Sequence, residues 1–73
     1  MDLKKRDLLW FVYTSNEKRV VEISKLLNKS FFNRDIYKDS IIKKEIIPLN
    51  GNKVRITPKG ITVLKNINLS IPF

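Results

Sequence analysis

An α+β fold, mainly helical, follows from three features of this chain. The run Val54-Arg55-Ile56-Thr57-Pro58-Lys59-Gly60-Ile61-Thr62-Val63-Leu64 reads as a short strand that stops at a helix start. Thr57 offers a capping oxygen, and Pro58 suits the first helical position, whose N–H has no intrahelical partner. Just upstream, Asn50-Gly51-Asn52 separates Ile46-Ile47-Pro48-Leu49 from Lys53-Val54-Arg55-Ile56, the pattern of a β-hairpin. Ahead of the hairpin, apolar residues recur mostly at helical spacing. The expected order is three helices, a β-hairpin and a C-terminal helix in one domain.

The first helix runs to about Tyr13, with Asp2 as its cap. Leu8, Phe11, Val12 and Ser15 share one face at i, i+3, i+4, i+7, and Leu9 and Trp10 flank it. Such a helix is apolar over most of its girth and belongs at the centre of the packing or at a subunit contact. Thr14-Ser15-Asn16-Glu17 reads as a loop. A second helix is expected from about Val21 to Leu27, carrying Ile23, Leu26 and Leu27, with Glu22 and Lys25 on its wet side. Asn28-Lys29-Ser30 is a turn, in which Asn28 tolerates a left-handed backbone.

Apolar pairs then recur every five residues, at Phe31-Phe32, Ile36-Tyr37, Ile41-Ile42 and Ile46-Ile47. No single helix keeps all four on one face. The simplest solution is a helix from about Asn33 to Lys43 and a strand entered at Glu45; a break near Asp39-Ser40 is the alternative. On that helix Ile36, Tyr37, Ser40 and Ile41 cluster on one side, while Arg34 and Lys38 point away. The last helix spans Pro58 to about Ile67, with Ile61 and Leu64 inward, and Asn68 to Phe73 forms an apolar tail.

Composition narrows the function. The chain has 73 residues, with 15 Lys+Arg against 7 Asp+Glu, a formal charge of +8. Such a surface attracts polyanions, nucleic acid first and an anionic membrane second. The plain alternative is a Lys-rich surface without a specific partner. There is no Cys and no His, which removes disulfides, thiolate metal sites and the commonest general base. No segment approaches the roughly 20 apolar residues of a membrane span. Leu8 to Tyr13 follows Lys4-Lys5-Arg6 but is too short for a signal peptide and lacks its cleavage pattern, so a cytoplasmic location is expected. The carboxylates form no catalytic pair, and no phosphate loop, metal spacing or nucleophile–base set is visible. No enzyme, cofactor or small-molecule ligand is expected.

Two segments resemble a known family. Glu22-Ile23-Ser24-Lys25-Leu26-Leu27-Asn28-Lys29-Ser30 looks like the E-[LI]-[AS]-x-x-L-x-x-S segment that carries the second helix and turn of winged helix-turn-helix regulators. Arg55 to Leu64 closely resembles the R-L-T-P-K-G-x-x-x-L run that closes the wing in MarR-like and PadR-like regulators, including small archaeal ones. The resemblance spans about residues 5–67. It implies a winged helix-turn-helix fold and transcriptional regulation through sequence-specific binding of double-stranded DNA. The Ile, Lys and Asn bias suits an AT-rich genome, archaeal or viral. Three departures stand out. Glu45 replaces a Gly usual before the two apolar residues that open the wing. The Phe32–Ile47 segment is about two residues longer than usual. Asp35 and Asp39 place negative charge on the third helix.

The resemblance puts the third helix in the major groove, which is about 12 Å wide and admits one helix. Asn33, Arg34, Tyr37 and Lys38 are then best placed to reach DNA. Arg34 can hold guanine through two hydrogen bonds and Asn33 can read adenine. The structural alternatives are that Asn33 caps the helix, that Arg34 pairs with Asp2 or Asp35, and that Tyr37 belongs to the core. Asp35 and Asp39 are expected to pair with Lys38 or Lys43. Lys29 and Ser30 stand at the turn before the helix, where a phosphate fits, or Ser30 serves as an N-cap. On the hairpin, Asn52, Lys53 and Arg55 are the phosphate or minor-groove candidates, with solvated charges as the alternative. Lys4-Lys5-Arg6 touches phosphate or lies free. A homodimer is expected, joined by the first helix and the tail, because one small domain makes few contacts. The rival readings are a winged-helix protein-interaction module and a sequence-independent DNA-coating protein.

Overall fold

A computed structural model describes residues 3–67. The elements are α1 (Leu3–Thr14), β1 (Val20–Glu22), α2 (Ile23–Leu27), α3 (Arg34–Ile42), β2 (Ile46–Leu49), β3 (Lys53–Ile56) and α4 (Pro58–Ile67). The fold is α+β and mainly helical, as expected, but its sheet has three antiparallel strands in the order β1-β3-β2. The expected cap at Asp2 and the tail from Asn68 to Phe73 lie outside the described residues.

The third strand corrects the second helix. Residues 20–22 are extended and pair with β3, Val20 opposite Arg55, Val21 opposite Val54 and Glu22 opposite Lys53. Two adjacent β-branched valines favour this state, and Val21 enters the core. The helix begins only at Ile23, whose N–H donates to the Asn52 carbonyl at 2.9 Å. Asn28, expected to tolerate a left-handed backbone, is right-handed at φ −87°.

β3 is central and alternates exposed Lys53 and Arg55 with buried Val54 and Ile56. β2 is an edge strand, which tolerates Pro48. The connecting turn uses consecutive left-handed residues, Gly51 at φ 82° and Asn52 at φ 55°, as tight hairpins require.

The core joins Leu8, Leu9, Val12, Val21, Leu26, Ile46, Val54, Ile56 and Leu64. Leu64 is inward as expected, and Ile61 is half-buried against the core. The face of α1 differs from expectation. Ser15 is exposed, and its hydroxyl lies 2.7 Å from the Val12 carbonyl, to which it donates, and 3.1 Å from that of Val20. The buried set is Lys5, Leu8, Leu9 and Val12, again at i, i+3, i+4, i+7, but rotated toward Leu9 because a lysine occupies one inward position. Phe11 is half-buried instead, its ring 5.9 Å from that of Phe31.

The start of α4 is locked to the end of α3. The Thr57 hydroxyl accepts from the Gly60 N–H at 3.0 Å, the expected cap. It also lies 2.6 Å from the Lys44 carbonyl, to which it donates. The Thr57 N–H donates to the Glu45 carbonyl at 3.0 Å. Gly60 is buried here, and a Cβ on it would stand 2.1 Å from the Glu45 carbonyl oxygen. The glycine therefore lets α4 approach this backbone closely.

Candidate nucleic-acid interface

α3 has two chemically different sides. Asn33 is its N-cap, with the side-chain oxygen accepting from the N–H groups of Asp35 and Ile36 at 2.9 and 3.1 Å. The structural alternative for Asn33 is therefore realised. Its amide nitrogen has no partner among the described residues. Ser30 is not the cap: it lies in the exposed turn after α2, four residues before the helix starts.

Arg34 and Lys38 are exposed, one turn apart, with no hydrogen-bond or ion-pair partner among the described residues. The proposed pairing of Arg34 with Asp35 does not form, and Asp2 lies outside the described residues. The same row continues to Ile42, 77% exposed, which the sequence reading did not single out. Tyr37 is half-buried, its ring 5.7 Å from that of Phe32, and burial raises its phenol pKa. It belongs partly to the packing.

The inner side holds the charges that the sequence left unexplained. Lys5 Nζ lies 2.8 Å from Asp39 Oδ2 and 2.9 Å from Glu45 Oε1. The Asp39 contact has hydrogen-bond geometry; Glu45 Oε1 is buried without a hydrogen bond. Lys43 Nζ adds a second cation 3.2 Å from Asp39, the expected i, i+4 pair. Hydrogen bonds from Lys5 and Lys43 hold the Asp39 carboxyl below its usual range. Burial works to lower the Lys5 pKa, but the bond to Asp39 and the Glu45 charge outweigh it, and the pKa rises. Lys5 is thus a structural cation, which corrects its reading as part of a basic surface cluster. Arg6 is half-committed to Asp7, at 3.1 Å, and Lys4 is exposed. Glu45, at the position where the resemblance anticipates glycine, is 3% exposed. The left-handed residue falls one position earlier, at Lys44 with φ 59°.

Within residues 33–57, Asp35 is then the one carboxylate with no basic partner. It sits in the first turn of α3, where a negative charge favours the helix dipole. Arg34, Lys38, Lys44, Lys53 and Arg55 carry free positive charge over the same stretch.

Lys53 and Arg55 project from the outward face of β3. Glu22 stands opposite Lys53 in the sheet and tempers its charge. The side chain of Asn52 is exposed, but its left-handed backbone and carbonyl serve the turn and the α2 junction. Lys29 is partly committed as well, its ammonium 4.9 Å from the centroid of the Phe11 ring. Lys25, which the sequence reading placed only on a wet face, lines the same open hollow as Lys53 and Lys18. That hollow links α2 to the hairpin. A strand following α1 was the missing signal: it draws the start of α2 onto the hairpin turn.

No group of residues able to hold a metal ion occurs among the described residues. No helix among them is long and apolar enough to cross a membrane. Comparison with family models, curated proteins and solved structures found no match.

Proposed function

We propose that this chain is a winged helix-turn-helix protein, resembling MarR-like and PadR-like regulators, that binds double-stranded DNA sequence-specifically and regulates transcription. The observation that carries the reading is the division of charge on α3. Asp39 is neutralised on the flank of the helix by Lys5 and Lys43, while Arg34 and Lys38 are exposed and have no partner among the described residues. The element order and the β1-β3-β2 sheet support the same reading, because they set the helix that bears Arg34 and Lys38 before a hairpin that bears Lys53 and Arg55. In this reading α3 is the recognition helix, with Arg34 and Lys38 on the groove and Asn33 offering its free amide. Lys53 and Arg55 on the wing meet phosphate, with Lys29, Ser30 and Asn52 as flanking contacts and Tyr37 at the edge of the groove.

The chain acts as a homodimer in this reading, since two copies double the contacts over spaced half-sites. Light scattering at working concentration tests that part; a monomer bound tightly to DNA refutes it. The rival reading is a protein-interaction module on the same fold.

Selection of duplexes from a random pool, followed by fluorescence anisotropy, decides between the readings. A regulator prefers its selected duplex over a scrambled one by at least about a thousandfold. Its affinity falls steeply with salt. Equal binding to all duplexes indicates a DNA-coating protein, and no binding indicates the interaction module. Arg34→Ala is expected to relax sequence choice. Lys53→Ala is expected to weaken all duplexes alike and to flatten the logarithmic salt slope by about 0.9.

A further inference from the structure

We propose that Ile42 is a specificity residue that reads the C5-methyl group of a thymine, an inference that rests on the DNA-binding reading above. A singly exposed apolar side chain is ordinary on a protein surface. What distinguishes Ile42 is its place. It follows Arg34 and Lys38 at i+8 and i+4, so all three occupy one row on the outward side of α3. It is 77% exposed, although the other isoleucines of α3, Ile36 and Ile41, are both packed against the core.

The surroundings of Ile42 define its partner. The two side chains preceding it in the row are cations with no partner among the described residues, as is exposed Lys44 beyond the helix end, so the exposed charge here stays net positive with the Asp35 carboxylate counted. A row of this charge attracts a polyanion rather than an apolar protein face. The major groove offers such a row both kinds of contact it needs: acceptors on guanine and phosphate for Arg34 and Lys38, and an apolar methyl on thymine for Ile42. Adenine and cytosine, by contrast, each present an amino donor there, and guanine presents only acceptors.

For a helix axis that follows the groove, the helix rise sets the spacing. Eight residues of α-helix advance about 12 Å along the axis. With about 3.4 Å per base along a strand, the thymine lies some three to four base pairs from the position held by Arg34.

The test uses the full chain and its selected duplex. Each thymine is replaced in turn by uracil, which keeps the pairing and removes only the methyl group. One replacement, three to four pairs from a guanine whose recognition is lost in Arg34→Ala, is expected to weaken the wild-type protein about threefold to fivefold. Ile42→Ala is expected to bind the thymine duplex more weakly by the same factor and to bind thymine and uracil duplexes equally. Because Ile42 is exposed, this variant is expected to melt with the wild type. Tight, selective DNA binding with no uracil effect at any position overturns the inference and leaves the DNA-binding reading intact. So does a uracil effect that persists in Ile42→Ala. Loss of all DNA binding by the wild-type chain overturns both.

Discussion

The two sides of α3 carry the same kinds of residue and use them oppositely. Inward, Lys5 meets the buried Glu45 and Ser40 is fully buried, and on the flank Asp39 meets Lys5 and Lys43. Outward, Arg34 and Lys38 have no partner among the described residues. An inward charge is fixed because leaving it unpaired in a poorly solvated place is costly. An outward charge costs folding nothing and remains available. Substitutions on the inner side should therefore move stability, and those on the outer side should move stability by no more than about 0.5 kcal/mol.

The sharpest way to break the inner side is Lys5→Ala. It leaves Glu45 buried with no cation, and breaking a buried pair in this way costs about 3–5 kcal/mol. Urea unfolding measures it. The double change Lys5→Met, Glu45→Leu removes both charges and is expected to restore most of the loss. A double variant as unstable as the single one would mean that the ion pairs of Lys5 themselves carry the stability, and not the relief of a stranded charge. Gly60→Ala is the next largest. In an ordinary helix interior this change stabilises by about 1 kcal/mol. Here the new methyl would meet the Glu45 carbonyl at 2.1 Å and Ile56 Cγ1 at 2.8 Å, so a loss of about 3 kcal/mol is expected.

These two residues also show what the sequence makes legible. Patterns that concern one element at a time read correctly: the hairpin turn at Asn50 to Asn52, the Thr57 cap, the cap reading of Asn33, the outward pair Arg34 and Lys38. Patterns that depend on a distant partner did not. Lys5 counts as polar in any periodicity reading, so the inward face of α1 seemed to run through Ser15; the ammonium enters only because Asp39 and Glu45 meet it. Val21 looked like the start of a helix because a three-residue strand has too few positions to show alternation. Its hydrogen-bonding partner lies more than thirty residues away, in β3. Gly60 was legible as part of a motif, but the carbonyl it accommodates was not.

Acid offers a subtler probe of the same inner side. The Asp39 pKa is depressed in the folded chain, so its ion pairs contribute stability above the unfolded carboxyl range, lost as pH falls through the folded value. Lys5 is raised, so its contribution is full below the ordinary lysine value and is lost as pH rises through the higher folded value. With no histidine in the chain, stability is expected to stay level from about pH 5 to 9. Thermal melts across pH check this. Asp39→Asn should soften the acid limb and weaken the alkaline one without abolishing it, because Lys5 loses the Asp39 bond that raises it and keeps Glu45.

The smallest effect has the opposite sign, which makes it a useful control on the comparison. Ser40 is 0% exposed and its hydroxyl has no hydrogen-bond partner among the described residues, while its carbonyl accepts from the Glu45 N–H at 2.9 Å. Ser40→Ala removes only the unsatisfied hydroxyl and keeps the backbone bond. Relief of that desolvation together with the better helix preference of alanine is expected to stabilise the chain by about 1 kcal/mol. For a domain of this size that is a rise of about 4–8 °C in Tm. Because Ser40 faces away from the Arg34–Lys38–Ile42 row, DNA affinity of the variant should equal that of the wild type. A stabilised variant that lost DNA affinity would show that the two sides of α3 are coupled, and that the inner packing sets the geometry of the outer row.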